Sequence, residues 1–433
     1  MDWRETYRRK LTTAEEAVKH IKSGDRIVVG HACGSPEILI KAMVAAKDPL
    51  EKVELLHLVS MGPSEYCLPE SAGHFIHNSF FAGATTRRAI NEGRAVFTPS
   101  HFSQVPRLFT DGILPVDVTL CMLSIPDEHG YCSFGVSVDY TKPAAERSKL
   151  VIAEITPHMP RTLGDSFIHV SKIDCIVESE SKPLTLTPPE ITAIDEKIGL
   201  HCSELITDGD CLQLGIGAVP DAILHFLGDK KDLGIHTEMF SDGVVDLVEK
   251  GVVTCRRKNI HTGKMVATFF MGTEKLYRFI HNNPMVEMHS VNYTNNPAII
   301  AQNDKVVSIN STIQIDLTGQ ACSESIGHRQ YSGTGGQADF VRGAAWSRGG
   351  RSILAFRSTA SKGTVSRITP RLNEGAVVTA TRTDVHYVVT EYGIADLRGK
   401  SVPQRAKALI NIAHPDFREN LQREFSRMYN YNI

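Results

Sequence analysis

Ile206-Thr-Asp-Gly-Asp-Cys-Leu-Gln-Leu-Gly215 echoes an earlier stretch of the same chain, Ile21-Lys-Ser-Gly-Asp-Arg-Ile-Val-Val-Gly30. Each copy is an apolar run that ends on a glycine. A proline follows soon after (Pro36, Pro220), and then similar helix starts, Glu37-Ile-Leu39 and Asp221-Ala-Ile-Leu224. A proline in a first helical turn loses no hydrogen bond, so both copies read as strand, glycine loop, helix. A weaker echo relates Phe80-Phe-Ala-Gly83 to Phe240-Ser-Asp-Gly243 and sets Glu238 opposite Asn78. Internal similarity at this distance points to two related domains.

Working outward, β-branched runs alternate with amphipathic stretches. Strands are expected at Arg26–Val29, Val53–Val59, Val116–Leu123, Leu150–Ile155, Cys211–Leu214, Gly234–Met239, Lys305–Ile309 and Tyr387–Thr390. Helices are expected at Thr13–Ile21, Pro36–Ala46, Thr85–Glu92, Pro220–Leu227, Val244–Lys250 and Gln404–Ala413. Such alternation builds βαβ units. The expected fold is α/β: two related open domains with largely parallel sheets, residues 1–185 and 186–433, and an active site at the cleft between them. The linker is Ser181-Lys-Pro-Leu-Thr-Leu-Thr-Pro-Pro189, whose prolines favour an extended crossing.

Bulk properties narrow the class. A chain of 433 residues exceeds one ordinary core, and 42% hydrophobic with 22% charged residues is a globular composition. A net charge of −2 offers no broad attraction for nucleic acid or acidic lipid. The nine cysteines are scattered and never form a CxxC pair, which argues for reduced thiols in a cytoplasmic compartment and against a zinc knuckle. No apolar run reaches the length of a membrane span, and the charged start Met1-Asp-Trp-Arg-Glu5 has no signal-peptide core.

The chemistry-bearing candidate is Glu238, near the end of Leu233-Gly-Ile-His-Thr-Glu-Met-Phe240 and just before Ser241-Asp-Gly243. A strand ending there presents a carboxylate where open α/β sheets bind ligands. About twenty residues upstream, Gln213-Leu-Gly-Ile-Gly217 leads into a helix and can bring backbone N–H groups toward an anion. A carboxylate is ionised at neutral pH and is a nucleophile without a base. It suits attack on a thioester, with amide donors holding the oxyanion. The glycine cluster Ser332–Asp339 and the loop Ser358–Gly363 are further places where backbone could meet a cofactor.

Other patterns fail their geometric tests. Gly393–Ser401 has one residue too many for a phosphate loop, and there is no GxSxG elbow or HExxH pair. Ser166 in Gly164-Asp-Ser-Phe167 and Cys132 are alternative nucleophiles with no evident base. His74-x-x-His77 reads as core rather than metal, and Asp127-Glu-His-Gly130 as a solvated turn; no metal ligand set is expected.

At these residues the chain resembles the family I coenzyme A transferases, in their acetyl-CoA hydrolase/transferase group and closest to its 4-hydroxybutyrate branch. The resemblance covers Leu212–Ile223, Gly234–Asp246, Tyr331–Ala344, Val388–Ala395 and Ala408–Phe417. It also includes Met1–Trp3, Ser23–Asp25 and Pro126–Asp127, and so nearly the whole chain. It implies that Glu238 carries a glutamyl-CoA thioester in a ping-pong transfer from acetyl-CoA to a short carboxylate such as 4-hydroxybutyrate. By the same resemblance Gln213, Leu214, Gly215, Ile216 and Gly217 contact coenzyme A and supply oxyanion donors. Ile313, Gly336 and Lys362 line the rest of its channel, and His31 faces the acyl group or is a buried structural residue. Coenzyme A enters as a substrate, with no tightly bound cofactor, and homodimers or larger assemblies in a fermentative cytoplasm are implied. Thr334 and Ala338 depart from the larger or more apolar residues that can occur at their positions, which bears on acyl-chain preference. Butyrate, propionate or succinate as the carboxylate, hydrolysis of acetyl-CoA, and a non-catalytic metabolite sensor on the same scaffold are the competing readings.

Overall fold

The computed structural model describes residues 2–431. The chain divides into two compact units, one of Met1–Thr187 with Val266–Thr294, the other of Pro188–Met265 with Asn295–Ile433. The expectation of one boundary between 185 and 186 thus meets a chain that crosses more than once. Residues 266–294 return to the first unit because their backbone is hydrogen-bonded there: Phe270 N–H donates to the Val136 carbonyl at 2.8 Å, and Val138 N–H to the Thr268 carbonyl at 3.2 Å. Residues 181–192 carry neither helix nor strand.

The first unit is built on seven strands: β1 (Arg26–Val29), β2 (Val53–Leu56), β3 (Phe75–Ser79), β4 (Val96–Phe97), β5 (Val118–Ser124), β6 (Leu150–Thr156) and β7 (Cys175–Glu178). They form one sheet in the order β7-β6-β5-β1-β2-β3-β4, every pair parallel. All seven residues of β5 are buried, as a parallel strand covered on both faces requires. Helix α1 (Glu37–Ala45) packs its Leu39, Ile40 and Met43 into the same core.

The second unit has β8 (Cys211–Leu214), β9 (Gly234–Ile235), β10 (Val306–Asn310), β11 (Arg351–Ala355), β12 (Tyr387–Thr390) and β13 (Gly393–Asp396). Their order is β9-β8-β10-β11-β12-β13, parallel except for the terminal β12–β13 hairpin. The run β9-β8-β10-β11-β12 therefore repeats β2-β1-β5-β6-β7, so the sequence echo marks a repeated topology. The turn before each first strand is the same as well. Lys22 N–H donates to Asp25 Oδ2 at 2.8 Å and Thr207 N–H to Asp210 Oδ2 at 2.7 Å, with Gly24 and Gly209 both at positive φ (80° and 76°).

This register corrects the weaker echo. Arg26 pairs with Glu54, and Cys211, its counterpart in the repeat, pairs with Gly234. Four residues on, Glu238 corresponds to Leu58. Asn78 stands on β3, a strand with no partner position beyond β9, where its amide donates to Glu54 at 2.8 Å and its carbonyl accepts from Thr98.

Three histidines, His31, His57 and His77, lie buried inside the first unit. His57 is 0% and His77 1% exposed; His57 Nδ1 meets the Tyr66 hydroxyl at 2.8 Å and His77 Nδ1 the Leu55 carbonyl at 3.3 Å. His74 Nδ1 likewise meets the Leu50 carbonyl at 2.8 Å. Burial, and next the neighbouring His77, hold His57 well below the ordinary imidazole value, and burial pushes His77 down to about 4. A depressed imidazole stabilises the fold fully above its unfolded value near 6.5 and loses that contribution as pH falls toward 4. Thermal melting between pH 7 and pH 4 should therefore show a steep loss of stability. Replacing His77 by leucine should flatten that loss by on the order of 3 kcal/mol. An unchanged pH profile in His77→Leu would contradict the assignment.

Candidate functional site

Glu238 is placed by a short reversal of the chain. The expected strand Gly234–Met239 keeps only Gly234–Ile235 as a parallel partner of β8. His236 N–H still donates to the Leu212 carbonyl at 3.1 Å, but Met239 returns to Leu214 as an antiparallel bridge. The Thr237 hydroxyl lies 3.2 Å from the Leu214 carbonyl and 2.8 Å from that of Met239. This bonding clamps the residues on either side of Glu238, which stands partly exposed at the bend.

Its carboxylate is held from two further directions. Asn295, 0% exposed, donates Nδ2 to Glu238 Oε2 at 2.6 Å. Gly336 lies so close that a methyl group there would overlap both Glu238 Oε2 and Asn295 Nδ2, well inside 3.0 Å. A missing Cβ is what lets backbone and carboxylate meet. Gly336 is also the N-cap of helix α2 (Gln337–Trp346), so the carboxylate stands at the positive end of a ten-residue helix. No motif in the sequence singled out Asn295. Its only local signal is Asn295-Asn-Pro297, where Asn296 caps a short helix by accepting from Ala298 N–H at 2.9 Å.

The glycine turn leaves the same end of β8. Leu214, clamped to Thr237 and Met239, is followed by Gly215, Ile216 and Gly217, all partly exposed. Nothing lies within 4 Å of where a Cβ would stand at Gly215 or Gly217. Gly217 has φ 117° and ψ 179°, a conformation open only to glycine, and caps a helix over Ala218–His225. That helix begins two residues before the expected Pro220, because a proline inside the first turn has no intrahelical donor to lose. Gln213 itself faces the sheet: its Oε1 accepts from the Ser308 hydroxyl at 2.8 Å and from Asn310 Nδ2 at 3.0 Å.

The other expected residues stand on separate loops. Ile313 bonds through its backbone, N–H to the Cys322 carbonyl at 2.9 Å and carbonyl from Arg367 Nε at 2.9 Å. Lys362 is exposed at the tip of a hairpin with φ 58°. In the first unit His31 is 1% exposed, with Nδ1 3.2 Å from Asp139 Oδ2 and its ring against Phe102, Tyr140 and Phe269.

The rival nucleophiles are poorly placed. Ser166 is fully buried and donates to the Thr162 carbonyl at 2.6 Å. Burial pushes the Cys132 thiol up to about 12, so it is not a thiolate at neutral pH. All nine cysteines are buried and free. The turn at Asp127 is an organiser: its carboxylate accepts from His129 and Tyr131 N–H and pairs with Arg161 at 2.9 Å.

Comparison with known proteins matches both halves of the chain. Residues 1–188 match the acetyl-CoA hydrolase/transferase N-terminal domain and residues 272–425 its C-terminal domain. A 4-hydroxybutyrate coenzyme A transferase of Clostridium kluyveri is 57% identical over 99% of this chain and 100% of its own length. A succinyl-CoA:cyclohexane-1-carboxylate CoA transferase of Geobacter metallireducens is 48% identical over 98% of this chain and 96% of its own. Among solved structures, RipA from Yersinia pestis superposes with a TM-score of 0.94 at 40% identity, covering 100% of both chains. None of the described helices is long and apolar enough to cross a membrane.

The close approach at Gly336 makes a direct test. Gly336→Ala should keep its melting temperature within a few degrees yet displace the carboxylate by about 1 Å, costing on the order of a hundredfold in acetyl-CoA-dependent turnover. Near-normal turnover would show that the carboxylate position is not critical.

Proposed function

The chain belongs to the acetyl-CoA hydrolase/transferase family, and from that premise we propose that it transfers coenzyme A from acetyl-CoA to a short carboxylate, 4-hydroxybutyrate first among them, with Glu238 as the nucleophile. The observation that carries this is the fixation of one carboxylate by Asn295, beside Gly336 and the open Gly215–Gly217 turn. The acceptor follows the relative at 57% identity; acetate, butyrate, propionate and succinate are the alternatives to be ranked by the same assay. The nine buried free cysteines suit a reducing cytoplasm.

In the proposed cycle a Glu238 oxygen attacks the thioester carbonyl, the C–S bond breaks, and a mixed anhydride and the coenzyme A thiolate result. The thiolate attacks the glutamyl carbonyl, the anhydride C–O bond breaks, and acetate leaves. Glu238 is then a thioester. An incoming carboxylate attacks that carbonyl and expels the thiolate, which takes the new acyl group and restores the Glu238 carboxylate. No proton is gained or lost, so no general base is needed. Asn295 Nδ2, already on a glutamyl oxygen, can follow the charge that builds there in each tetrahedral intermediate. Backbone donors of the glycine turn serve the same end, and one such donor is worth roughly 2.7–4 kcal/mol. Ile313, Gly336 and Lys362 are assigned to the coenzyme A channel and His31 to the acyl side.

Two measurements test the reading. Labelled acetate should exchange into acetyl-CoA without any second acceptor, the mark of a ping-pong half-reaction; absence of exchange would favour the sensor, and release of free coenzyme A by water alone would favour the hydrolase. Glu238→Gln should keep the fold and abolish exchange, and Glu238→Asp should lower it on the order of a hundredfold. Normal exchange in Glu238→Gln would overturn the assignment.

A further inference from the structure

Two buried amide side chains, one bonded to Glu238 and one next to Gly336, are incomplete. The carboxylate only accepts hydrogen bonds, so the Asn295 atom that meets it is the nitrogen, and Oδ1 points elsewhere. That oxygen is buried and has no hydrogen-bond partner among the described residues. Gln337 directly follows Gly336, the residue in contact with the carboxylate, and is 9% exposed. Its Nε2 is also buried and also lacks a partner among the described residues. Native proteins rarely leave buried polar atoms in this state, and where they do a ligand or water is the expected complement. One unfilled acceptor thus belongs to the asparagine that holds the proposed nucleophile, and one unfilled donor to the residue next to the glycine in contact with it.

The chemistry of these two atoms selects among the groups that enter the site. Carboxylates have acceptors only and cannot satisfy Asn295 Oδ1. A substrate hydroxyl could, but only some acceptors carry one, whereas every half-reaction involves the thiol carrier. In that carrier an amide follows the sulfur after two methylenes. When the sulfur is bonded to Glu238, this amide is one side-chain length from the carboxyl carbon. It offers an N–H and a C=O that point to opposite sides of a planar trans unit, and so needs two receptors. The Gln337 amide carries one donor end and one acceptor end whichever way it is turned.

We propose that Asn295 Oδ1 and the Gln337 side-chain amide form the receptor for the first pantetheine amide of the thiol carrier, Asn295 accepting its N–H and Gln337 donating to its carbonyl. This rests on the reading of Glu238 as the group that takes up coenzyme A. Gln337 then binds the carrier and has no part in the choice of carboxylate. Asn295 serves twice, orienting the nucleophile through Nδ2 and the carrier through Oδ1. The device also explains how a site with an ionised glutamate can favour a carrier thioester over simple thioesters.

The test compares three acetyl donors with the full-length protein: S-acetyl-N-acetylcysteamine, the ester analogue with oxygen in place of N–H, and S-pentyl thioacetate, which lacks the amide. For the unmodified protein kcat/KM should fall about tenfold on loss of the N–H and further on loss of the carbonyl. Gln337→Met should lower kcat/KM about tenfold for the cysteamine donor and leave S-pentyl thioacetate unchanged. With acetyl-CoA itself, Gln337→Met should raise KM for the thioester while KM for the carboxylate stays constant. Equal losses for all donors, an unchanged KM for acetyl-CoA, or no discrimination among the donors by the unmodified protein would each overturn the proposal. The unmodified comparison needs no variant to fold. Failure of the Glu238 reading is separate: it would show as absence of acetate exchange with acetyl-CoA in the unmodified protein.

Discussion

The hydrogen bond from Asn295 Nδ2 to Glu238 Oε2, 2.6 Å long, is the constraint on which the site is built. A glutamate has three side-chain torsions, and a nucleophile that samples them all attacks rarely; holding one oxygen removes most of that freedom. The hold requires a fully buried asparagine, a glycine where any side chain would collide, and a chain reversal locked by the Thr237 hydroxyl. Each of these local features is unfavourable or unremarkable alone. Together they fix a carboxylate at a helix N-terminus beside an open glycine turn.

The repeated topology explains why this happens in the second unit. Both units carry the same aspartate-closed turn, first strand and glycine loop, but the loops differ in the residues after the first glycine. In the first unit His31 comes after Gly30 and is walled in by Asp139 and three aromatic rings. In the second, Ile216 and Gly217 come after Gly215, and the turn stays open. By register, the place of Glu238 is taken in the first unit by a leucine, Leu58, 3% exposed. One copy of the scaffold buries an apolar residue where the other presents a carboxylate.

Much of this was legible in the sequence because it depends on local chemistry. The strands Arg26–Val29, Cys211–Leu214 and Tyr387–Thr390 stand where their apolar runs stand, since a buried parallel strand needs little beyond composition and length. Glu238, the glycine turn and Gly336 were marked by short motifs. What escaped was set by tertiary partners. Asn295 lies 57 positions from Glu238, and nothing nearby says that its amide reaches a carboxylate. The return of residues 266–294 to the first unit depends on backbone bonds to 136–139, which no periodicity records. The short echo that set Glu238 against Asn78 failed because it aligned glycines, and glycines mark turns of many kinds.

The central claim is that the Glu238 carboxyl becomes covalently bonded to the sulfur of coenzyme A. Mixing the protein with acetyl-CoA in the absence of acceptor, reducing with borohydride and sequencing the peptide that contains residues 231–250 by mass spectrometry tests it most directly. Conversion of Glu238 alone to the reduced, alcohol-bearing residue is the result this account predicts. An unmodified Glu238 peptide from protein that still transfers coenzyme A to carboxylates would contradict it.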